Sequence, residues 1–442
     1  MLFSLIDFFI FFILFILCIL SFKTHQRSII IIFSLFFYSY WNFYFIPLII
    51  FFCISTFFLI KKNYYLPISI SILIFPLILF KYSTFILEIF NISSLLKYSY
   101  TGELPLAISF LTFTAIAVLI DRKNKKNDQY NFFNISEYLL YFPQLIAGPI
   151  LRVNELIPQL KNKILFVRDN IKFGIVLFCV GYIKKVYLAD NIGVYIDPFF
   201  QNPDLTESKD LFKAFLLFPV QIYFDFSGYI DMAMGLSKIL GINLPQNFNK
   251  PYFASSMTDF WRRWHITLSN WFKDYVYISL GGSKVVNYRI YLNLLITMGI
   301  AGLWHGANYS FILWGFLNGL ILCIERFLNI EKFNYSYIKN LFYCFIIFNL
   351  WVVFRISDFS LMLIFFNKLY ANIFDVILYE NLTILIFVCI SIISQKFDNY
   401  KSLMNFSKKI NFKVIIPFFL TVILVGLSIS IGQSDKFIYF QF

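Results

Sequence analysis

Long apolar runs separated by short basic loops account for most of the chain. Runs of this length with few charges predict membrane-spanning helices, whereas a β-barrel would show short segments of alternating polarity. The pattern therefore predicts an all-α polytopic membrane protein with roughly ten to twelve transmembrane helices. Runs expected to span or enter the bilayer lie at 2–22, 28–60, 64–80, 104–120, 171–190, 211–224, 225–240, 293–318, 342–354, 361–369, 377–393 and 414–430.

The basic residues orient these helices. Lysine and arginine are enriched in cytoplasmic loops, so Lys23–Arg27, Lys61–Lys62 and Asp121–Asp128 are expected on the cytoplasmic side. Residues 28–60 must then form a hairpin broken near Asn42, because a single span would put the first two clusters on opposite sides. Both termini are expected on the outer side of the membrane.

Two stretches depart from the pattern of straight spans. Glu137–Arg152 contains Pro143 and Gly148, which favours a broken or re-entrant segment. Thr258–Tyr275 combines tryptophans with charged residues and is expected to be an amphipathic helix at the bilayer interface. Such a helix places four residues in one row, namely Trp261, His265, Leu268 and Phe272.

Composition agrees with this picture and excludes a soluble domain, since 60% of the residues are hydrophobic and 14% are charged. The net charge of +13 is explained by basic cytoplasmic loops, so nucleic-acid binding is not expected. The six cysteines lie singly, without CxxC spacing, and the chain has three histidines. No metal site is therefore expected.

The run Asn293–Asn318 carries His305 near its middle. An imidazole among Leu, Ile, Met, Phe and Trp loses hydration that these neighbours do not replace, so an ionisable residue at this depth indicates function. Gly299, Gly302 and Gly306 remove side chains around it, which lets a neighbouring helix or a thin substrate approach the ring. The alternative is a structural histidine that is hydrogen-bonded across a helix pair.

Other polar residues lie in similarly apolar surroundings. Asp225 and Asp231 occur in FDFSGYIDMAMGLSKIL, residues 224–240. Two carboxylates in such a run indicate a polar interior wall, unless both lie at the end of a span. A basic cluster in 258–275 is expected to contact lipid headgroups or to bind a phosphorylated ligand, and consists of Arg262, Arg263 and Lys273.

Three motifs occur in order along the chain: YFPQLIAGPILR, then QIYFDFSGYIDMAMGLSKILGINLPQNFNKPYFASSMTDFWRRWHITLSNWFKDYVYISLGGSK, then GLWHGANYSFILWG. Together they resemble the membrane-bound O-acyltransferase family, and most of all its bacterial polysaccharide O-acetylase branch, which modifies alginate or peptidoglycan. The similarity covers Tyr141–Gly319, and FIYFQF at the C-terminus is also similar to that branch. The D-alanyl transferases of teichoic acids share a similar overall plan.

The resemblance implies one integral-membrane domain over residues 1–442. Its motif-bearing core is expected at 141–319, with N-terminal spans in 1–120 and C-terminal spans in 340–442. It also implies that the helices, including re-entrant and interfacial ones, surround a central funnel that is thin at its middle.

The resemblance implies that the family's catalytic histidine corresponds to His305 in GLWHGANYSFILWG. It also implies that the family's second position of interest corresponds to His265. An alcohol is a poor nucleophile at neutral pH, so His305 would remove its proton as the oxygen attacks a thioester carbonyl. His265 would orient the reactants or line the tunnel. The other candidates are Asn308 and Tyr309 as oxyanion donors, Asp225 and Asp231 as tunnel wall or histidine-orienting groups, and Arg262, Arg263 and Lys273 as partners of coenzyme A phosphates.

The predicted function is transfer of acetyl groups from cytoplasmic acetyl-CoA, across the inner membrane and its lipid bilayer, to a periplasmic partner protein. The partner would place them on a cell-envelope glycan, with peptidoglycan as the first expectation and alginate or another exopolysaccharide as the alternative. Acetyl-CoA is a substrate, and no permanently bound cofactor is expected. A transporter for a small anion or a lipid-linked sugar is the alternative from another class, and it predicts internal duplication. A scaffold of cell-wall assembly would leave His305 and His265 unexplained.

Overall fold

Helices make up most of the part of the chain that the structure describes. The structure is a computed structural model and describes residues 3–62, 64–92, 95, 99–124, 130–145, 148–330, 336–371, 382–396 and 398–430. No residue in these ranges lies in a β-strand. Five helices there are long and apolar enough to cross a membrane, at Phe43–Lys62, Leu66–Ile89, Tyr309–Phe327, Tyr337–Arg355 and Phe412–Ile429. The predicted all-α polytopic membrane fold is confirmed, and the total of ten to twelve spans stays a prediction.

The chain divides into two compact units. The first contains residues 1–179, 229–245 and 411–419, and the second contains residues 180–228, 246–410 and 420–442. Three helices contribute residues to both: α10 (Arg168–Tyr182), α12 (Ser208–Ile239) and α21 (Phe412–Ser430).

The first unit is built from nine helices in its described part, besides its share of those three. They are α1 (Ile6–Ser21), α2 (Gln26–Ser39), α3 (Ile46–Lys62), α4 (Leu66–Leu77), α5 (Ser83–Ile89), α6 (Ile108–Asn124), α7 (Phe132–Leu140), α8 (Phe142–Leu145) and α9 (Val153–Lys161). Its core is rich in phenylalanine: Phe11, Phe15 and Phe37 all pack on the ring of Phe142.

The predicted hairpin over residues 28–60 is confirmed. Helix α2 ends at Ser39 and α3 begins at Ile46. The side chain of Asn42 accepts a hydrogen bond from the backbone N–H of Tyr44 at 3.0 Å, which stabilises the turn. By contrast, the helix that was expected at 64–80 extends further, because it continues through a π-helical turn to Ile89.

The break predicted in Glu137–Arg152 is also present. Helix α7 ends at Leu140, and the Tyr138 hydroxyl donates to the carbonyl of Leu151 at 2.6 Å, which ties the two sides of the break together. Glu137 is buried and accepts a hydrogen bond from Arg27 Nε at 2.7 Å. The described residues next to the break are therefore held by hydrogen bonds inside protein.

The second unit, besides its share of the three helices, begins with α11 (Asp190–Gln201), which continues α10 through a π-helical stretch, Ile183–Ala189. The other described helices are α13 (Met257–Trp261), α14 (Ile266–Phe272), α15 (Asn287–His305), α16 (Tyr309–Phe327), α17 (Tyr337–Arg355), α18 (Phe359–Ala371), α19 (Leu382–Ser394) and α20 (Tyr400–Lys409). The C-terminal FIYFQF and the second half of the basic loop at 121–128 lie outside the described residues.

The division of residues 211–240 into two segments is wrong. Helix α12 runs without interruption for 32 residues. Asp225 and Asp231 are each 1% exposed, so both carboxylates lie inside protein, and their position relative to the end of a span stays a prediction. The helix continues through Asp225 because that carboxylate has a buried cationic partner, Lys185.

Candidate active site

His305 lies at the end of a helix rather than in the middle of a span. Helix α15 ends at His305, Gly306 is extended, and α16 begins at Tyr309. The side chain of Asn308 caps α16 by accepting a hydrogen bond from Ser310 N at 2.8 Å. The predicted continuous run from 293 to 318 is therefore a helical hairpin with the histidine at its turn.

Two glycines let the arms of this hairpin approach closely. A Cβ atom added at Gly302 would lie 2.2 Å from the carbonyl oxygen of Phe311, and one at Gly315 would lie 2.3 Å from that of Met298. The prediction for Gly302 is confirmed. At Gly299, no other described helix approaches, because a Cβ there would meet nothing within 4 Å, and approach of a substrate at this glycine stays a prediction.

Alanine at Gly302 is expected to destabilise the protein by about 1–3 kcal/mol, since the added carbon meets backbone and no side-chain rotation relieves the overlap. Gly299→Ala is the matched control on the same helix, and its better helix propensity should leave stability unchanged or slightly higher. Thermal unfolding in detergent measures both variants. Equal melting temperatures for the two would show that the arms separate easily.

An aromatic cage surrounds the imidazole of His305, which is 8% exposed. The ring centroids of Trp304, Trp314 and Phe354 lie 4.9, 5.2 and 5.0 Å from that of the imidazole. Phe354 comes from α17 and Trp314 from α16, so three helices build the cage. Water has little access to such a ring, which suits chemistry that must avoid hydrolysis.

His265 lies at a break between two short helices. Its backbone is left-handed, with φ of 42° and ψ of 54°, and α14 begins at the next residue. The prediction of one amphipathic interfacial helix over 258–275 is therefore wrong, as is the row from Trp261 to Phe272. Trp264 and Trp271 are buried because the break turns them into the protein rather than toward an interface.

The His265 side chain is 1% exposed. Its ring packs edge-on against Phe226 at 4.6 Å, and its Nδ1 lies 3.4 Å from Asn247 Oδ1. Nε2 has no hydrogen-bond partner within the described ranges. Burial lowers the pKa of this imidazole to about 3, so the ring is neutral.

The two predicted histidines meet at one tryptophan. The ring of Trp304 lies 6.2 Å from that of His265 and 4.9 Å from that of His305. The structure thus brings together two residues that are 40 positions apart in sequence. A buried neutral imidazole beside a second, caged imidazole is suited to proton transfer from a hydroxyl.

Comparison with known proteins agrees with this chemistry. The model of MBOAT, the membrane-bound O-acyltransferase family, matches residues 77–365. This chain belongs to the membrane-bound O-acyltransferase family. It is an acyltransferase, as the sequence predicted.

Three relatives illustrate the range of the family. The peptidoglycan O-acetyltransferase of Helicobacter pylori is 37% identical over 374 residues, covering 74% of this chain and 70% of that protein. The probable alginate O-acetylase of Pseudomonas aeruginosa is 43% identical over 231 residues, covering 52% of this chain and 44% of that protein. The teichoic acid D-alanyltransferase of Bacillus subtilis is 30% identical over 248 residues, covering 50% of this chain and 61% of that protein. The match therefore extends over less than half of the alginate relative.

The basic cluster of this acyltransferase lies on the segment that carries His265. Arg262 and Lys273 are exposed. Arg263 forms an ion pair with Asp259, with Nε 2.7 Å from Oδ1. The two exposed cations are better placed than Arg263 to meet phosphates.

The predicted roles of Asn308 and Tyr309 as oxyanion donors stay predictions. Asn308 Oδ1 accepts the cap hydrogen bond of α16, whereas an oxyanion would need the hydrogens on its Nδ2, and Tyr309 is 63% exposed. Asp225 forms an ion pair with Lys185 at 2.6 Å, while Phe226, the next residue, packs on His265. Asp231 belongs to the first unit of the fold.

Sequence reasoning missed several residues that support the site of this acyltransferase. Lys185 neutralises Asp225, and Asn247 faces His265. Buried Glu325 of α16 accepts hydrogen bonds from the backbone N–H and the hydroxyl of Thr258, both at 3.0 Å, which fixes the start of α13. The Lys184–Lys185 pair inside an apolar run was a detectable signal, whereas Asn247 and Glu325 depend on contacts between distant segments.

Proposed function

We propose that this acyltransferase moves acetyl groups from acetyl-CoA in the cytoplasm across the bacterial inner membrane for O-acetylation of a cell-envelope polysaccharide, most directly peptidoglycan. The observation that carries the proposal is the pair of buried histidines around Trp304. The choice of peptidoglycan is supported by the Helicobacter pylori relative, whose alignment covers most of both chains.

Alginate or another exopolysaccharide is the second candidate acceptor. It is favoured by the higher identity to the Pseudomonas aeruginosa protein, 43% against 37%. That identity extends over 52% of this chain, whereas the alignment with the Helicobacter pylori protein covers 74%. The shorter alignment gives weaker support to the choice of glycan.

In the proposed reaction, the neutral imidazole of His305 takes the proton of an acceptor hydroxyl as the oxygen attacks the thioester carbonyl. A carbon–oxygen bond forms, and the tetrahedral intermediate then collapses with loss of the coenzyme A thiolate. The His305 imidazolium returns the proton to that thiolate. The cage of Trp304, Trp314 and Phe354 limits competing attack by water and orients the reactants.

The donor would enter from the cytoplasm with its phosphates near the exposed cations Arg262 and Lys273. The acceptor side would face the periplasm, where a partner protein receives the acetyl group and passes it to the glycan. This partner, and the periplasmic position of both termini, rest on the family resemblance and on the distribution of basic loops.

Proteoliposomes with labelled acetyl-CoA on one side test this function. A candidate periplasmic partner is supplied on the other side, with either peptidoglycan or alginate. We expect label on peptidoglycan only when the partner is present and donor and acceptor are on opposite sides. Label on alginate alone would favour the second acceptor. Absence of transfer to either glycan or to the partner, with folded protein, would contradict the proposal.

A further inference from the structure

Asn247 holds His265 from two directions. Its backbone carbonyl accepts a hydrogen bond from Ile266 N at 3.0 Å, immediately after the histidine. Its side-chain oxygen, Oδ1, lies 3.4 Å from His265 Nδ1. These contacts keep His265 in a left-handed conformation that a side chain of its size rarely adopts.

The orientation of the Asn247 carboxamide follows from its other neighbour. The backbone N–H of Thr267 donates to Oδ1 at 2.9 Å, and the Thr267 hydroxyl lies 3.0 Å from the same atom. A backbone N–H only donates, so the atom that faces it must be the oxygen and not the amide nitrogen. The carboxamide is therefore fixed with its oxygen toward His265.

This orientation determines the tautomer of the imidazole. Since Nδ1 faces an acceptor, Nδ1 carries the hydrogen and Nε2 carries the lone pair. Nε2 is buried and has no partner among the described residues. A buried acceptor without a partner is costly in the free protein, which indicates that a bound molecule supplies the missing donor.

We propose that Asn247 is a positioning residue that fixes the Nδ1–H tautomer of His265 and so presents the Nε2 lone pair to a hydrogen-bond donor on the substrate. The inference rests on the proposed acetyl transfer. The donor group is either the hydroxyl of the acceptor or an amide N–H on the pantetheine arm of acetyl-CoA, because both substrates carry such groups to the site.

In the described part of the chain, the close contacts that hold His265 are made by side chains that do not titrate. They come from Asn247, from Phe226 of α12 and from Trp304 of α15. The charged or titratable neighbours along those two helices are Asp225, which is paired with Lys185, and His305. A charge introduced at Asn247 should therefore dominate the titration of the ring.

The tautomer can be measured without any activity. Purified full-length protein with ¹⁵N-labelled histidine gives signals from three residues only, and His265→Gln assigns the signal of interest. We expect His265 to have a protonated Nδ1 and an unprotonated Nε2 at neutral pH, and to lose this single tautomer in Asn247→Ala. A protonated Nε2 in the wild type, or an unchanged signal in Asn247→Ala, would overturn the assignment even if acetyl transfer itself were never observed.

Kinetics then test the role in the reaction. Asn247→Ala should lower kcat/KM by about 10-fold or more. A rise in KM for acetyl-CoA identifies the pantetheine amide as the bound donor, and a rise in KM for the acceptor identifies the hydroxyl. An unchanged kcat/KM for both substrates would overturn the positioning role, while a wild type without acetyl transfer would instead contradict the proposed function.

The pH profile of activity in Asn247→Asp distinguishes the positioning role from a purely structural one, which would leave that profile unchanged. The carboxylate keeps the acceptor oxygen but favours imidazolium, so it raises the pKa of His265 into the range of the assay. Activity should then fall as pH decreases and recover as pH increases. Asn249→Asp, on the same loop but exposed, is the charge-matched control and should keep the wild-type pH profile. A wild-type profile in Asn247→Asp would contradict the proposal.

Discussion

Replacing His305 with glutamine is expected to slow acetyl transfer by about 10²–10⁴-fold, the usual contribution of a general base. Glutamine fills much of the same space in the cage of Trp304, Trp314 and Phe354 but does not take a proton at neutral pH. The loss should appear mainly in kcat, because the ring acts on the reacting hydroxyl rather than in holding either substrate. Initial rates in proteoliposomes measure it.

His25→Gln is the matched control for this experiment, since His25 is exposed and belongs to the other compact unit. It should retain the wild-type rate. Thermal unfolding of the His305 variant shows whether it is folded. A folded His305→Gln protein with wild-type kcat would remove the imidazole from the chemistry and leave a structural role in its place.

Replacing Lys185 with methionine is expected to destabilise the protein by about 3–5 kcal/mol, because it leaves a buried carboxylate without its cation. The side chains of Lys185 and Asp225 are 4% and 2% exposed, and Nζ lies 2.6 Å from Oδ1. Lys185 also bonds to Asp190, which is 28% exposed and can be hydrated when the lysine is lost. The melting temperature of Lys185→Met should fall markedly, and the yield of purified protein should fall as well.

The double variant Lys185→Met with Asp225→Asn separates charge from packing. Without a buried charge, it should recover much of the lost stability. Lys209→Met is the control, since Lys209 pairs with Glu207 at an exposed position and should leave the melting temperature unchanged. If the double variant melts as low as Lys185→Met, the cost arises from lost packing and not from an unpaired Asp225.

Several breaks in the helices could be predicted from the residues at those points. The turn near Asn42 followed from basic clusters on both sides, and the break after Leu140 followed from Pro143 and Gly148. The turn at His305 was missed, although Gly306 and Asn308 are residue types that commonly end and begin helices. The signal was overlooked because the apolar residues around it, in the run 293–318, are equally suited to a single span.

The sequence by itself determined the membrane class, the acyltransferase family and the choice of His305 and His265, because apolar run length and motif order are local properties of the chain. Tertiary structure alone decided that Trp304 packs near both histidines, that Lys185 neutralises Asp225, and that Asn247 faces His265. Each of these depends on segments far apart in sequence, whose approach is set by packing. A buried polar group needs a partner, and only the fold determines which distant residue provides it.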